Sequence, residues 1–300
     1  MTFRYTSILL IVGAMAIGLV FNSCSSKKVA DQSWEPLLDM SLSNWDKFIG
    51  VPHPTVGLEG YEKGGNLEGK PLGLNNDPQN VFSTIEMDGE TVLRASGEIY
   101  GGINTKKEYE NYHLSMKFKW GSKKYEPRLD ELRDSGILYH CQEPQGAAWG
   151  IWMRSQEMQV QEGDCGDYYA IAGTGVDIKA IQVNDAESES VSFIYDPNGE
   201  YQRFKTGEKE WSCKKIADHE KTGEWNMLEL VCIGDKSYHI VNGRVVMVLE
   251  RSVAYDEDDV ATPLSKGKIQ LQSEGAEVYY KEIKIRSVNE LPEEFASQLK

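Results

Sequence analysis

Between Glu157 and Asp167 the chain reads Glu-Met-Gln-Val-Gln-Glu-Gly-Asp-Cys-Gly-Asp, a strand-like alternation that runs into a cluster of carboxylates. Side chains alternate faces along a strand, so Glu157, Gln159 and Gln161 share one face while Met158 and Val160 take the other. Three hydrogen-bonding side chains in a row suit a groove for a hydroxyl-rich ligand, with sugar the first candidate. Glu162, Asp164 and Asp167 then deliver carboxylates to the end of that groove. The competing description is a solvated strand face that ends in an acidic turn.

The elements that must hold this stretch also read as strands. From His113 to Trp120 the residues alternate, with Leu114, Met116, Phe118 and Trp120 on one face. Tyr238 to Leu249 is two β-branched-rich runs joined at Asn242-Gly243, a strong hairpin signal. Lys268 to Gln272 and Val278 to Ile285 are expected to pair across Ser273-Glu274-Gly275, and Ile137 to His140 and Val191 to Tyr195 add shorter strands. A helical period is expected only in the tail, Glu290 to Leu299. Three segments read as irregular: Val51 to Asn80, Ser122 to Asp134 and Cys165 to Asp185. Loops of that length usually carry function. Many short strands with Gly-rich turns predict an all-β, two-sheet antiparallel sandwich of jelly-roll type.

The amino terminus reads as an address. Arg4 precedes an apolar run from Ile8 to Phe21, and Asn22-Ser23-Cys24 follows it. The run is too short to span a bilayer comfortably, and a small residue before cysteine resembles a bacterial lipoprotein cleavage site. The expected organisation is a signal peptide over 1–23, lipidation at Cys24, a polar tether over 24–33, one domain over 34–288 and a tail over 289–300. Such a chain is expected at the outer membrane, facing either the periplasm or the exterior. The net charge of −15 argues against a nucleic-acid partner, which requires a basic footprint. Cys141, Cys165, Cys213 and Cys232 show no C-x-x-C spacing and hence no zinc signal. Two disulfides could form on export, although Cys232, in an apolar strand, reads as a buried free thiol.

In order along the chain stand Trp34-Glu35-Pro36-Leu37 with Trp45, Leu93-Arg94 before Gly101-Gly102-Ile103, and Thr105-Lys106-Lys107-Glu108-Tyr109 leading into Tyr112-His113-Leu114. Asp134-Ser135-Gly136-Ile137, Gln159-Val160-Gln161-Glu162-Gly163-Asp164 with Gly166-Asp167, Gly223-Glu224-Trp225-Asn226, Val241-Asn242-Gly243 and the run Gly267 to Gly275 follow. These landmarks, over about residues 34 to 286, resemble the 3-keto-disaccharide hydrolase family. The resemblance implies a concanavalin A-like jelly roll, an exported lipoprotein, and cleavage of glycosides already oxidised at C3. A ketone at C3 acidifies the C2 hydrogen, so a base can remove it and the enolate can expel the C1 substituent, with water added afterwards. Such a site needs a base near neutral pH, a holder for the enolate oxygen and an acid for the leaving oxygen.

On that reading Glu162, where the polar strand breaks at Gly163, is the expected base, with Asp164 or Glu157 as second carboxylate and His140 as proton shuttle. A lone strand histidine is more often simply hydrogen-bonded, and His140 shares a face with Leu138. Arg133, Tyr139 or a divalent cation would hold the enolate. Glu162, Asp164 and Asp167 offer oxygen ligands suited to calcium or magnesium, yet an acidic loop without metal is commoner, and no cofactor is required. Gln159, Gln161, Gln272, Glu274 and Trp149 are the expected saccharide-binding residues. Trp152, Tyr168, Tyr169, Trp211 and Trp225 are further aromatics for stacking, against the commoner core role.

Two other readings stand beside this one. Glu157 to Glu162 is similar to the Glu-x-Asp-x-x-Glu signature of laminarinase-type retaining glycosidases, with Gln159 in place of Asp. A five-residue offset puts those glutamates on opposite faces unless a β-bulge realigns them. A carbohydrate-binding lipoprotein without catalysis is the other.

Overall fold

The computed structural model describes Met1 and residues 33–64, 68–184 and 191–299. Cys24, the leader and nearly all of the tether therefore lie outside the described residues. The body that begins at Asp31 is a sandwich of two antiparallel sheets. The larger sheet runs, in spatial order, through Val191–Tyr195, Thr174–Asn184, Arg244–Tyr255, Lys236–Val241, Asn226–Ile233, Tyr112–Lys124, Ala276–Ser287, Glu90–Ala95 and Phe82–Met87. The other runs through Ser212–Cys213, Tyr168–Ile171, Arg154–Gln161, Asp134–Gln142, Lys266–Ser273, Gly101–Thr105, Trp45–Ile49 and Gly73–Leu74. The expected all-β jelly-roll sandwich is thus the observed fold.

Period-2 alternation puts one face of each sheet into the shared core. Leu114, Met116, Phe118 and Trp120 of one sheet meet Ile137, Met158, Val160, Ile269 and Leu271 of the other. Asn242 and Gly243 have φ of 50° and 76°, the left-handed pair that a type I′ hairpin requires. Tyr238 and Val248 accordingly face each other across that hairpin.

Three expectations are corrected. Lys266–Ser273 and Ala276–Ser287 do not pair: the first lies between Gly101–Thr105 and Asp134–Gln142, the second between Tyr112–Lys124 and Glu90–Ala95. Ser273-Glu274-Gly275 is therefore a crossing from one sheet to the other, and it places Glu274 at the sandwich rim. Most of Cys165 to Asp185 is strand, Tyr168–Ile171 and Thr174–Asn184, because Tyr168, Ala170, Val176, Ile178 and Ala180 alternate into a second apolar cluster. The cysteines at 141, 165, 213 and 232 are all buried free thiols, so no disulfide joins them. The tail forms a short helix, Glu293–Ala296, that buries Phe295.

Candidate active site

The strand Arg154–Gln161 carries the polar face into place. Gln156, Met158 and Val160 point inward, Gln156 donating to the Gly175 carbonyl and the Ser252 hydroxyl, so Glu157, Gln159 and Gln161 point out of the sandwich. Register extends this outer face sideways. Glu157 lies between Leu138 and Tyr169, Gln159 opposite Gly136, and Gln161 opposite Asp134. Asp134 in turn bridges to Gly275, which brings Glu274 to the same corner. Residues paired across neighbouring strands share a face, so polar groups from separate strands form one patch.

The outer face is not bare. Tyr100 and the segment holding Ala148, Ile151, Trp152 and Met153 pack over Leu138 and Ile171, with Tyr169 and Trp211 at the margin. Tyr100 and Trp152 stack at 6.4 Å, while Tyr169 and Trp211 meet edge-on at 5.0 Å. Cover of this kind leaves Glu157, Asp134 and Gln272 buried on a face turned away from the core.

Three carboxyls and one guanidinium define the cluster. Arg128 lies 2.8 Å from Asp134 Oδ2 and 3.4 Å from Glu274 Oε1, and Gln161 Nε2 donates to Asp134 Oδ2 at 2.7 Å. Burial, then the neighbouring charges of Glu274 and Asp134, push the Glu157 carboxyl well above the usual range. Asp134 and Glu274 titrate as a pair. Burial raises Asp134 to about 6 and Glu274 to about 8, while Arg128 opposes both shifts. Burial thus biases Glu157 toward its protonated form, whereas Asp134, at about 6 and beside Arg128, is biased toward its charged form at pH 7. Asp134 Oδ1, Gln272 Oε1 and Arg128 Nε are buried with no hydrogen-bond partner among the described residues. Orphaned polar atoms grouped in this way are what a hydroxyl-rich ligand would satisfy.

Gly136 makes the arrangement sterically feasible. A Cβ there would sit 2.2 Å from both Glu157 Oε1 and Gln272 Oε1, so glycine lets those side chains lie across the sheet.

Of the expected site residues, Glu157, Gln159, Gln161, Gln272 and Glu274 are brought together. Glu162 is not. Both of its oxygens lie 3.0 Å from Arg133 Nη1, and the charges acting most on Glu157, Asp134 and Glu274 do not include it. The same ion pair occupies Arg133. Asp164 faces Lys215 at 3.9 Å across the turn. Asp167 accepts from the Lys215 amide at 2.9 Å with the ammonium at 3.5 Å, and Lys215 Nζ also donates to the Gly163 carbonyl. The acidic turn is therefore tied down by Lys215, and its carboxylates are dispersed among cations. Among the described residues no group of three His, Cys, Asp or Glu stands close enough to hold a metal ion.

Tyr139 and His140 are corrected more sharply. Tyr139 points into the sandwich, where its hydroxyl meets Ser237 at 2.9 Å and His239 at 3.2 Å. His140 has φ 53°, and the register with Lys266–Ser273 shifts beside it. That bulge breaks the alternation, so the His140 ring packs edge-on against Tyr112 and Tyr139 while Cys141 takes the outer face beside Leu138. Burial lowers the imidazole to about 4. Trp149 is 55 % exposed on the covering segment and is free to stack on a ligand. Tyr168 is core and Trp225 sits under the Lys281 ammonium. Asp134 and Arg128 were missing from the expected set, although Asp134 opens one of the landmark motifs.

No register shift falls between Glu157 and Gln161. Glu162 is therefore not realigned onto the Glu157 face, and the two-glutamate geometry of a retaining glycosidase is not formed by this pair.

A family model described as 3-keto-alpha-glucoside-1,2-lyase-like domain matches residues 33–286. No curated protein matches the sequence. Among solved structures, a proposed glycosyl hydrolase from Parabacteroides distasonis ATCC 8503 is 21 % identical, with 86 % of this chain and 100 % of that one covered at a TM-score of 0.45. A galectin-like protein of unknown function from Bacillus subtilis is 10 % identical over 86 % of this chain and 96 % of its own, at 0.40. The β-glucanase of Bacillus licheniformis is 12 % identical over 87 % and 100 %, at 0.36.

Proposed function

The chain belongs to the 3-keto-α-glucoside-1,2-lyase-like family, and from that premise we propose that it cleaves 3-keto glycosides by removing the C2 proton and expelling the C1 substituent. Asp134 acts as base. Its Oδ2 is held by Arg128 and Gln161 while Oδ1 has no hydrogen-bond partner among the described residues. The C2–H bond breaks toward Asp134, and its electrons form the enolate of the C3 ketone. Arg128 offsets the charge that develops on the enolate oxygen. The enolate electrons then form the C1–C2 double bond as the C1–O bond breaks, and Glu157, whose protonated form burial favours, gives its proton to the leaving oxygen. Water added across that double bond completes hydrolysis. Gln272, Gln161 and Glu274 hold sugar hydroxyls.

The supporting observation is the grouping of three carboxyls with raised pKa, two of them on one arginine, among polar atoms without a partner in the described residues. Perturbed acids grouped in this way mark functional sites. A panel of 3-keto and ordinary glycosides, with product analysis, tests the substrate class. Glu157→Gln and Asp134→Asn should each lower kcat by about 100-fold or more, whereas Glu162→Gln should change it by less than about threefold. Hydrolysis of ordinary glycosides alone, or a Glu162→Gln loss larger than the other two, would overturn this reading.

A further inference from the structure

Proton removal at C2 puts negative charge on the C3 oxygen, and the two side chains expected from sequence to hold it are engaged elsewhere. Glu162 takes Arg133, and the Tyr139 hydroxyl lies in the core. Arg128 has its terminal nitrogens turned to carboxyls: Nη2 lies 2.8 Å from Asp134 and 3.3 Å from Glu131, and Nη1 lies 3.4 Å from Glu274. A guanidinium committed in this way offsets charge but keeps only its buried Nε to donate. Tyr100 stands at the same corner. Gly101 pairs with Ser273, so the residues just outside that pair, Tyr100 and Glu274, are neighbours. Tyr100 packs on the outer face with Leu138, and its ring is stacked on Trp152 at 6.4 Å. The charges that act on its hydroxyl are those of Glu274, Arg128, Glu131 and Asp134. The phenol thus belongs to the carboxyl cluster, yet its hydroxyl has no hydrogen-bond partner among the described residues.

Sheet order matches the order of atoms in the substrate. Gly101–Thr105, Lys266–Ser273, Asp134–Gln142 and Arg154–Gln161 are successive strands, so Tyr100 lies to one side of Asp134 and Glu157 to the other. The reacting atoms are successive too: the C3 oxygen, the C2 hydrogen and the C1 oxygen. With Asp134 at C2 and Glu157 at the C1 oxygen, the C3 oxygen faces Tyr100. We propose that Tyr100 is a catalytic residue whose hydroxyl donates a hydrogen bond to the C3 oxygen as the enolate forms, an assignment that rests on the 3-keto glycoside reading. The C2–H electrons become the C2–C3 double bond and the carbonyl pair moves onto the C3 oxygen. The proton goes to Asp134, and Tyr100 keeps its own. Burial, then the Glu274 charge, hold the phenol above its ordinary value, so it remains a donor wherever Asp134 is charged and able to accept. A fixed neutral donor strengthens its bond as charge grows on the oxygen, which favours the transition state over the bound ketone.

Tyr100→Phe in the full chain removes the hydroxyl and keeps the ring on Trp152. Two rates are compared with wild type: cleavage of a 3-keto disaccharide, and deuterium uptake from heavy water at C2 of 1,5-anhydro-3-keto-glucitol, which has no C1 substituent to expel. The second rate reads enolate formation alone. Loss of one oxyanion donor should lower both the exchange rate and kcat by about 100-fold. KM should stay within about threefold, since the bond is made only as charge develops, and the urea unfolding midpoint should stay close to that of wild type. Wild-type exchange in Tyr100→Phe, a change confined to KM, or a rate loss matched by a loss of stability would overturn the assignment. If wild type cleaves 3-keto glycosides while Tyr100→Phe exchanges C2 as fast, the role of Tyr100 alone falls. If wild type neither exchanges nor cleaves, the 3-keto reading falls and takes the assignment with it.

Discussion

At the scale of single residues, the outward polar face of Glu157, Gln159 and Gln161 follows from alternation, which sequence displays directly. The partners of those residues are less visible. Glu162 reads as the natural base because it ends the strand, yet Arg133, 29 positions earlier, takes both of its oxygens. Arg128 sits in an irregular segment, and only the Asp134–Gly275 bridge shows that Asp134 and Glu274 share it. Gly136 gives a sharp test at this scale. A methyl group at residue 136 would collide with the carboxyl of Glu157 and the amide of Gln272, both ends of flexible side chains, so the backbone need not move. Gly136→Ala should therefore lower kcat/KM by about tenfold or more while unfolding free energy changes by less than about 2 kcal/mol. Retained activity with a large stability loss would show that Gly136 serves packing rather than the site.

At the scale of elements, strands were legible wherever period 2 was clean, and the Asn242-Gly243 hairpin announced its own turn. Pairing was not. Ser273-Glu274-Gly275 has the composition of a hairpin turn, but both flanking strands already have partners on each side, so the chain crosses between sheets. The bulge at His140 was equally hidden, since nothing in Leu-Tyr-His-Cys marks the residue that takes a positive φ. The acidic turn after Gln161 is the element most dependent on one distant side chain, Lys215. Lys215→Met would leave Asp167 buried beside a lost cation and should lower stability by about 3 kcal/mol at pH 8. Burial holds the Asp167 carboxyl at about 6, so at pH 5 it is mostly protonated already and the loss should be smaller. Urea unfolding at the two pH values measures the difference, and an equal loss at both would exclude Asp167 as the cause.

For the molecule as a whole, the site sets a pH dependence of stability opposite in sign to that of ordinary acid unfolding. A carboxyl whose folded pKa is raised binds its proton more tightly when folded. Its contribution is complete below the unfolded value of 4.5 and is lost as pH rises through the folded value. Glu157 and Glu274 both behave this way. The buried imidazoles of His140 and His239, lowered to about 4, have the reverse sign: their contribution is complete above the unfolded 6.5 and fades as pH falls toward 4. Above pH 6.5 those two histidines are mostly neutral in both states and most exposed carboxylates are ionised in both, so Glu157 and Glu274 contribute to the remaining slope, to which the buried thiols of Cys141, Cys165, Cys213 and Cys232 add as pH approaches 9. Unfolding free energy should fall from pH 6.5 to pH 9, by up to about 1.4 kcal/mol per pH unit for each carboxyl whose ionisation the fold suppresses. Glu157→Gln removes one of those ionisations without removing volume. Its slope over the same range should be visibly flatter than that of wild type, and it should gain on wild type most at pH 9. Parallel curves would mean that Glu157 does not keep its proton in the folded protein, and with that the assignment of the leaving-group acid would fall.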